Sequence, residues 1–218
     1  MKNVTIEKDE FVEMKEDTTI LVKKGVSTII LSRAKVNNIT TEKNAKATLI
    51  TLSSSDNHAN LIGDNSEIIT INLYNANNDK IEINSVSEHT GKNTKSYINC
   101  KGVLTNSESN VKGMIKINEN AEDSDGYQKS DALILKDSKV ISVPDLEIHN
   151  NNVKCSHGST ITRLDEDKIF YMQSRGLEKE EAEKELINGF YEEVIEDLPE
   201  NLKRRIRDEI LWGKNFHY

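Results

Sequence analysis

Aromatic side chains make up only 5% of this 218-residue chain, with a single Trp, and hydrophobic residues of all kinds only 35%. A compact two-layer globule of that length is ordinarily richer in Leu, Phe and Trp. The shortage favours an elongated fold with much surface per residue. A mean hydropathy of −0.62 would also suit a disordered chain, but Ile, Val and Leu recur here in short strand-like runs, which disordered segments lack. The two cysteines, Cys100 and Cys155, lie far apart and read as reduced thiols rather than a disulfide staple. No apolar run approaches a membrane span. The opening Met1-Lys2-Asn3-Val4 leads into charged residues rather than an apolar signal core, so a soluble, cytoplasmic protein is expected.

Other absences narrow the chemistry. No GxxxxGK[ST] phosphate loop is present, so ATP hydrolysis by that route is not expected. There is no CxxC pair, no HExxH and no strand–turn–helix elbow for a nucleophilic serine. The net charge of −8, without a basic stripe, argues against nucleic acid or an anionic membrane as partner. The one basic cluster, Lys203, Arg204, Arg205 and Arg207, stands among acids and reads as a solvated helix face.

From about Thr18 to Thr162 short β-rich runs alternate with polar turns of Asn, Asp, Ser, Gly and Lys. The clearest runs are Thr18–Val22, Ser27–Leu31, Ala47–Leu52, Glu67–Leu73, Lys80–Ile83, Lys95–Cys100, Met114–Ile117, Ala132–Leu135 and Val140–Val143. In Ile69-Thr70-Ile71-Asn72-Leu73 the apolar residues fall on one face. The turns rarely show the Asn-Gly of a two-residue hairpin, no helix intervenes, and Pro144 is the only proline of the region. A β-solenoid tolerates such tight polar corners. No strict repeat period is legible, so pattern alone leaves a sandwich open beside the solenoid.

After Leu164 the period changes to that of helices. Asp165 suits an N-cap, Ile169, Phe170, Met172 and Gln173 follow at helical spacing, and Gly176 suits the stop. A second helix from about Glu178 carries an apolar stripe of Ala182, Leu186, Ile187, Phe190, Tyr191, Val194 and Ile195. Pro199 opens a third, with Leu202, Ile206, Ile210 and Leu211, stopping at Gly213. The expected organisation is therefore a β core over 1–163 and a helical domain over 164–218.

The compact metal-capable group is Cys155-Ser156-His157. Thiolate and imidazole both ligate iron, but two ligands do not close a site. Residues two apart on a strand share a face, so the pair can serve one site. His58, His149 and His217 read as surface residues.

The stretch VKCSHGSTITRLDEDKIFYMQSRGLEKEEAEKELINGF, from Val153 to Phe190, closely resembles the C-terminal signature of the SufB/SufD family of iron–sulfur cluster assembly scaffolds. Val143-Pro144-Asp145-Leu146-Glu147-Ile148 is similar to its "P-x-L-E-I" strand. Asp125-Gly126-Tyr127-Gln128 and Ala132-Leu133-Ile134-Leu135 resemble its "TDGYQ…LLL" segment. His89-Thr90-Gly91-Lys92-Asn93-Thr94-Lys95-Ser96, then Lys101-Gly102, is closer to the SufB version. The likeness runs from about Glu88 to Asp197, in a short SufD-like form of prokaryotic or archaeal type.

The resemblance implies a right-handed parallel β-helix with a C-terminal helical domain. It also implies pairing of two subunits through their β-helix ends, helical domains that dock a SufC-type ABC ATPase, and a nascent cluster at the subunit interface. The SufD-type histidine falls on His157. The position of the SufB cysteine holds Ile148, which cannot ligate iron, and the SufB glutamate is Gly158 here. In a homodimer, Cys155 or Glu147 would have to serve beside His157, and two copies of Cys155 and His157 would supply four ligands for a transient 4Fe–4S cluster. Cys100 is a further cluster or sulfur-relay candidate. His89, Lys92 and Lys95 resemble SufB positions near the sulfur path, against a reading as solvated-loop residues. Phe190, Tyr191 and Val194 are the expected ATPase-docking surface. A SufB-like subunit could replace the second copy. A regulatory partner of the ATPase that binds no cluster is the competing reading. A carbohydrate-active β-helix enzyme is disfavoured, because Trp212 in the tail is the sole tryptophan platform.

Overall fold

The computed structural model describes residues 1–211. Fourteen strands precede three helices among them. The strands are β1 (Lys2–Ile6), β2 (Glu10–Met14), β3 (Thr18–Val22), β4 (Ser27–Ser32), β5 (Val36–Thr41), β6 (Lys46–Thr51) and β7 (Ser55–Leu61). They continue with β8 (Glu67–Asn77), β9 (Lys80–His89), β10 (Lys95–Thr105), β11 (Glu108–Ile117), β12 (Asp125–Ile134), β13 (Lys139–Ile148) and β14 (Lys154–Arg163). The helices are α1 (Glu166–Ser174), α2 (Lys179–Ile195) and α3 (Glu200–Leu211). Gly213, Trp212 and His217 lie outside the described residues.

Odd strands form one seven-stranded parallel sheet in the order β1-β3-β5-β7-β9-β11-β13, and even strands form the other. Each coil therefore gives one strand to each sheet, and each strand stacks on its counterpart in the previous coil. This is a parallel β-helix, and it settles the choice against the sandwich. Two further strands, β1 and β2, stand before Thr18. The coils are of two sizes. Lys2 is in register with Thr18 and Lys46 with Glu67, but Ser55 is in register with Ile83 and Lys95 with Asp125. A repeat whose length changes midway leaves no single period in the sequence.

The corners explain the wealth of asparagine. Asn44, Asn65, Asn93 and Asp123 all take positive φ, which Asn and Asp tolerate better than other side-chain-bearing residues. They stack: the Asn65 amide donates to Asn44 Oδ1 at 3.1 Å and the Asn93 amide to Asn65 Oδ1 at 2.7 Å. Gly63 must be glycine because a Cβ there would fall 1.9 Å from the Lys43 backbone nitrogen of the coil below.

In the narrow coils the space between the sheets is aliphatic, with Ile6, Ile20, Val22, Ile30, Ile39, Leu49, Leu61 and Ile68 all buried. A buried amide chain runs beside them. Ser32 Oγ donates to Asn37, Asn37 to Asn57 at 3.0 Å, Asn57 to Asn72 at 2.7 Å, and Asn72 to Ser85 Oγ at 3.1 Å. Each buried amide thereby finds partners that offset its loss of water.

The helices cover the outer face of the even sheet. Ile187, Tyr191 and Ile195 of α2 and Leu202, Ile206 and Ile210 of α3 pack on Leu31, Ile50, Leu73, Val103 and Leu133. Asp165 caps α1 by accepting from the Asp167 and Lys168 amides, and Gly176 ends that helix region at φ +98°. In the basic cluster of α3, Arg204 is exposed to solvent, but its three companions are paired. Arg205 lies 2.8 Å from Glu13, Arg207 2.8 Å from Glu192 and Lys203 3.0 Å from Glu200, while Arg33 bridges Glu13 and Glu209.

Candidate functional site: the open last coil

β13 and β14 are the terminal strands of their sheets, and no described strand pairs beyond them. Their faces are therefore only partly covered, and Ile141, Val143, Ile148 and Ile161 are exposed apolar residues there. An uncovered strand edge next to exposed aliphatics is a surface that pairs readily.

Cys155 and His157 both belong to β14. Cys155 is in register with Gly126 and His157 with the buried Gln128 of β12. Both positions thus turn toward the space between the sheets. Cys155 is half-buried against Ile115, Ile117, Leu146 and Val153. That burial, with the Asp125 carboxylate adding to it, pushes the thiol up to about 11. His157 is exposed at the open end. Ile148 of β13 continues the column of the buried Ile117, so the residue at the SufB cysteine position also turns inward at the open end.

Glu147 falls elsewhere. Neighbours in a strand face opposite sides, and its carboxylate lies on the outer surface of the odd sheet, 2.8 Å from His149 Nε2 and 3.3 Å from Lys116 Nζ. His149 first and Lys116 second hold its carboxyl below the usual range. The structure therefore does not bring Glu147 to Cys155 and His157. Among the described residues no group of three or more His, Cys, Asp and Glu side chains comes close enough to hold a metal ion.

Cys100 of β10 is buried two coils inward from the end, and burial raises its thiol far above the ordinary range. It borders a cavity of about 20 Å³, shared with Ile98, Gln128, Ser130 and Pro144 and reaching Gly158 of the last coil. That volume suits about one water.

His89 is not a loop residue. It is wholly buried at the end of β9, with Nδ1 2.7 Å from Thr94 Oγ1 and Nε2 2.7 Å from Ser96 Oγ. Its burial follows from its place in the inward column Ile83, Ser85, Ser87, His89. That alternation was readable, but the run of polar residues between hid it. Lys92 and Lys95 are exposed, Lys92 pairing with Glu122 at 2.8 Å. His58 and His149 are on the surface.

The expected docking stripe needs correction. Tyr191 is buried, and its hydroxyl donates to the Tyr74 carbonyl at 2.7 Å. Phe190 and Val194 pack partly buried on the same cluster. The reason is that α2 spends its apolar face on the even sheet. Among the described side chains of the helices, the large apolar ones left exposed are Phe170, 74% exposed, and Tyr171, 57% exposed, both on α1.

The fold and site thus define a parallel β-helix protein with two inward-turned donors in its uncovered last coil and helices splinted to one sheet. A family model described as SUF system FeS cluster assembly, SufBD core domain, matches residues 12–190, and the chain belongs to that family. It is 32% identical over 143 residues to the iron–sulfur cluster assembly SufBD family protein slr0074 of Synechocystis, covering 64% of this chain and 30% of that protein. It is 38% identical over 96 residues to the iron–sulfur cluster assembly protein SufD of Escherichia coli, covering 43% and 23%. With ABCI7, a chloroplastic protein of Arabidopsis thaliana, it shares 40% over 98 residues, covering 44% and 20%. The chain thus spans less than a third of the length of each of these relatives. No described helix is long and apolar enough to cross a membrane.

Proposed function

We propose that the chain is a scaffold component of an iron–sulfur cluster assembly complex. It pairs through the open β13–β14 end, holds a nascent cluster there as cargo, and works with a SufC-type ABC ATPase that supplies any nucleotide hydrolysis. The carrying observation is that Cys155 and His157 share the inward side of the uncovered last coil. One chain offers two donors, and a two-fold pair offers two thiolates and two imidazoles. Iron binding would displace the Cys155 proton, since the thiolate is the ligand. Cys100, which borders the narrow cavity, is read as a relay thiol rather than as a ligand. The ATPase docks on the helical module through α1, where Phe170 and Tyr171 are exposed.

The test is anaerobic reconstitution with iron and sulfide. The dimer is expected to gain charge-transfer absorption that Cys155→Ser or His157→Ala removes. Retention of the full spectrum in both variants would sink the ligand assignment. The second reading, a partner of the ATPase that binds no cluster, is favoured by the inward-facing Ile148. It predicts no bound iron or sulfide while the ATPase is still retained in a pull-down.

A further inference from the structure

Lys101 is buried where a lysine is costly. Its side chain is 2% exposed on the outer face of β10, in register with Leu73 and Asp131. Taking an ammonium out of water costs several kcal/mol unless acceptors replace the lost hydration. Here α2 supplies them. Lys101 Nζ donates to the Phe190 carbonyl at 2.9 Å, sits 4.5 Å from the centre of the Phe190 ring, and pairs with the Glu193 carboxylate. Asp131 lies 3.7 Å away, and Lys129 closes the group, 2.7 Å from Glu193 and 3.2 Å from Asp131. Hydrogen bonds from Lys101 first and Lys129 second hold the Glu193 carboxyl down at about 2. Asp131 Oδ1 has no hydrogen-bond partner, so the network is not fully satisfied.

The residue before Lys101 is Cys100, and adjacent strand residues face opposite sides. Cys100 accordingly turns into the core with Tyr74, Leu104, Val111 and Ala132. The grip of α2 on the sheet is therefore one peptide unit from the internal thiol. We propose that the Lys101–Glu193 contact is a latch coupling the helical module to the interior of the β-helix, so that displacing α2 shifts β10 and opens Cys100 to solvent. This holds whether or not a cluster is bound.

In a Cys155→Ser background Cys100 is the only thiol, and its alkylation by iodoacetamide can be timed alongside backbone amide exchange. Glu193→Gln changes a half-exposed residue and should fold. It is expected to speed both α2 exchange and Cys100 alkylation about tenfold, with β3–β6 exchange unchanged. Glu193→Lys should do so more strongly. Glu192→Gln removes the Arg207 pair between α2 and α3 but spares the contacts of Lys101, and should leave alkylation at the parent rate. The proposal is overturned if α2 exchange rises without faster alkylation, or if Glu193→Lys changes neither. It is also overturned if Glu192→Gln acts as strongly as Glu193→Gln.

Discussion

Gly126 and Cys155 are register partners one coil apart, and the glycine leaves the thiol its seat. A Cβ on Gly126 would lie 3.3 Å from Cys155 Sγ and 2.8 Å from Ile115 Cγ2. Gly126→Ala should therefore push the thiol toward the open end. Cys155 alkylation is expected to quicken severalfold, while crowding costs about 1–2 kcal/mol of stability. Lost stability with an unchanged alkylation rate would show that the seat does not hold the thiol.

His89 should make the fold acid-sensitive. Burial pushes its imidazole down to about 4, against about 6.5 when unfolded. Between those values the unfolded chain binds the extra proton, so stability falls as pH drops through 6.5 and the loss is complete below 4. The contribution is at most about 3 kcal/mol. Urea midpoints measured from pH 7.5 to 4 should show this slope, and His89→Asn should flatten it. An equal slope in the variant would place the acid sensitivity elsewhere.

Tyr74 lies over Gly102 of the next coil, so a Cβ there would sit 1.9 Å from the ring carbon Cζ. The ring is fully buried and its hydroxyl donates to Ser109 at 3.2 Å. Gly102→Ala should cost about 3 kcal/mol or more, since neither backbone nor ring can give way. Adding Tyr74→Leu should recover part of that loss in thermal melts. Simple additivity of the two changes would refute the contact as the cause.

The two helix surfaces should separate by experiment. Tyr191→Phe strips a buried hydrogen bond and should cost about 1 kcal/mol without touching a partner. Phe170→Ala with Tyr171→Ala should leave stability within about 0.5 kcal/mol, yet lose capture of the ABC ATPase. If the α1 pair binds normally, docking lies elsewhere on the molecule.

Much of this was legible in the sequence, for definable reasons. Thr18–Val22 is β3 residue for residue, because both its faces alternate cleanly. Asp165, Gly176 and Pro199 marked helix ends through capping and φ preference, which act locally. Strands β5 and β7, VNNITT and SDNHANL, are not legible in the sequence because their inward residues Asn37 and Asn57 satisfy each other across coils. A polar residue that is buried by a partner twenty positions away looks like a loop. The same limit applies to the site. The likeness of KCSHG to its family picked out His157 and Cys155, but strand parity was needed to turn Glu147 outward. Tyr191 read as surface stripe because one sequence cannot say which side of an amphipathic helix has a sheet beneath it.

A bare stack of coils couples only nearest neighbours, and such arrays unfold by peeling from their ends. Here α2 and α3 press on side chains from β4, β6, β8, β10 and β12 at once. That bracing converts a one-dimensional ladder into a cooperative block spanning five coils. Arg205 of α3 reaches Glu13 in the first coil as well, whereas the last coil, β13–β14, gives no strand residue to that cluster and is the one that carries Cys155 and His157. Under the proposed pairing, a second subunit would extend that bracing to the one coil whose strands the helices leave out.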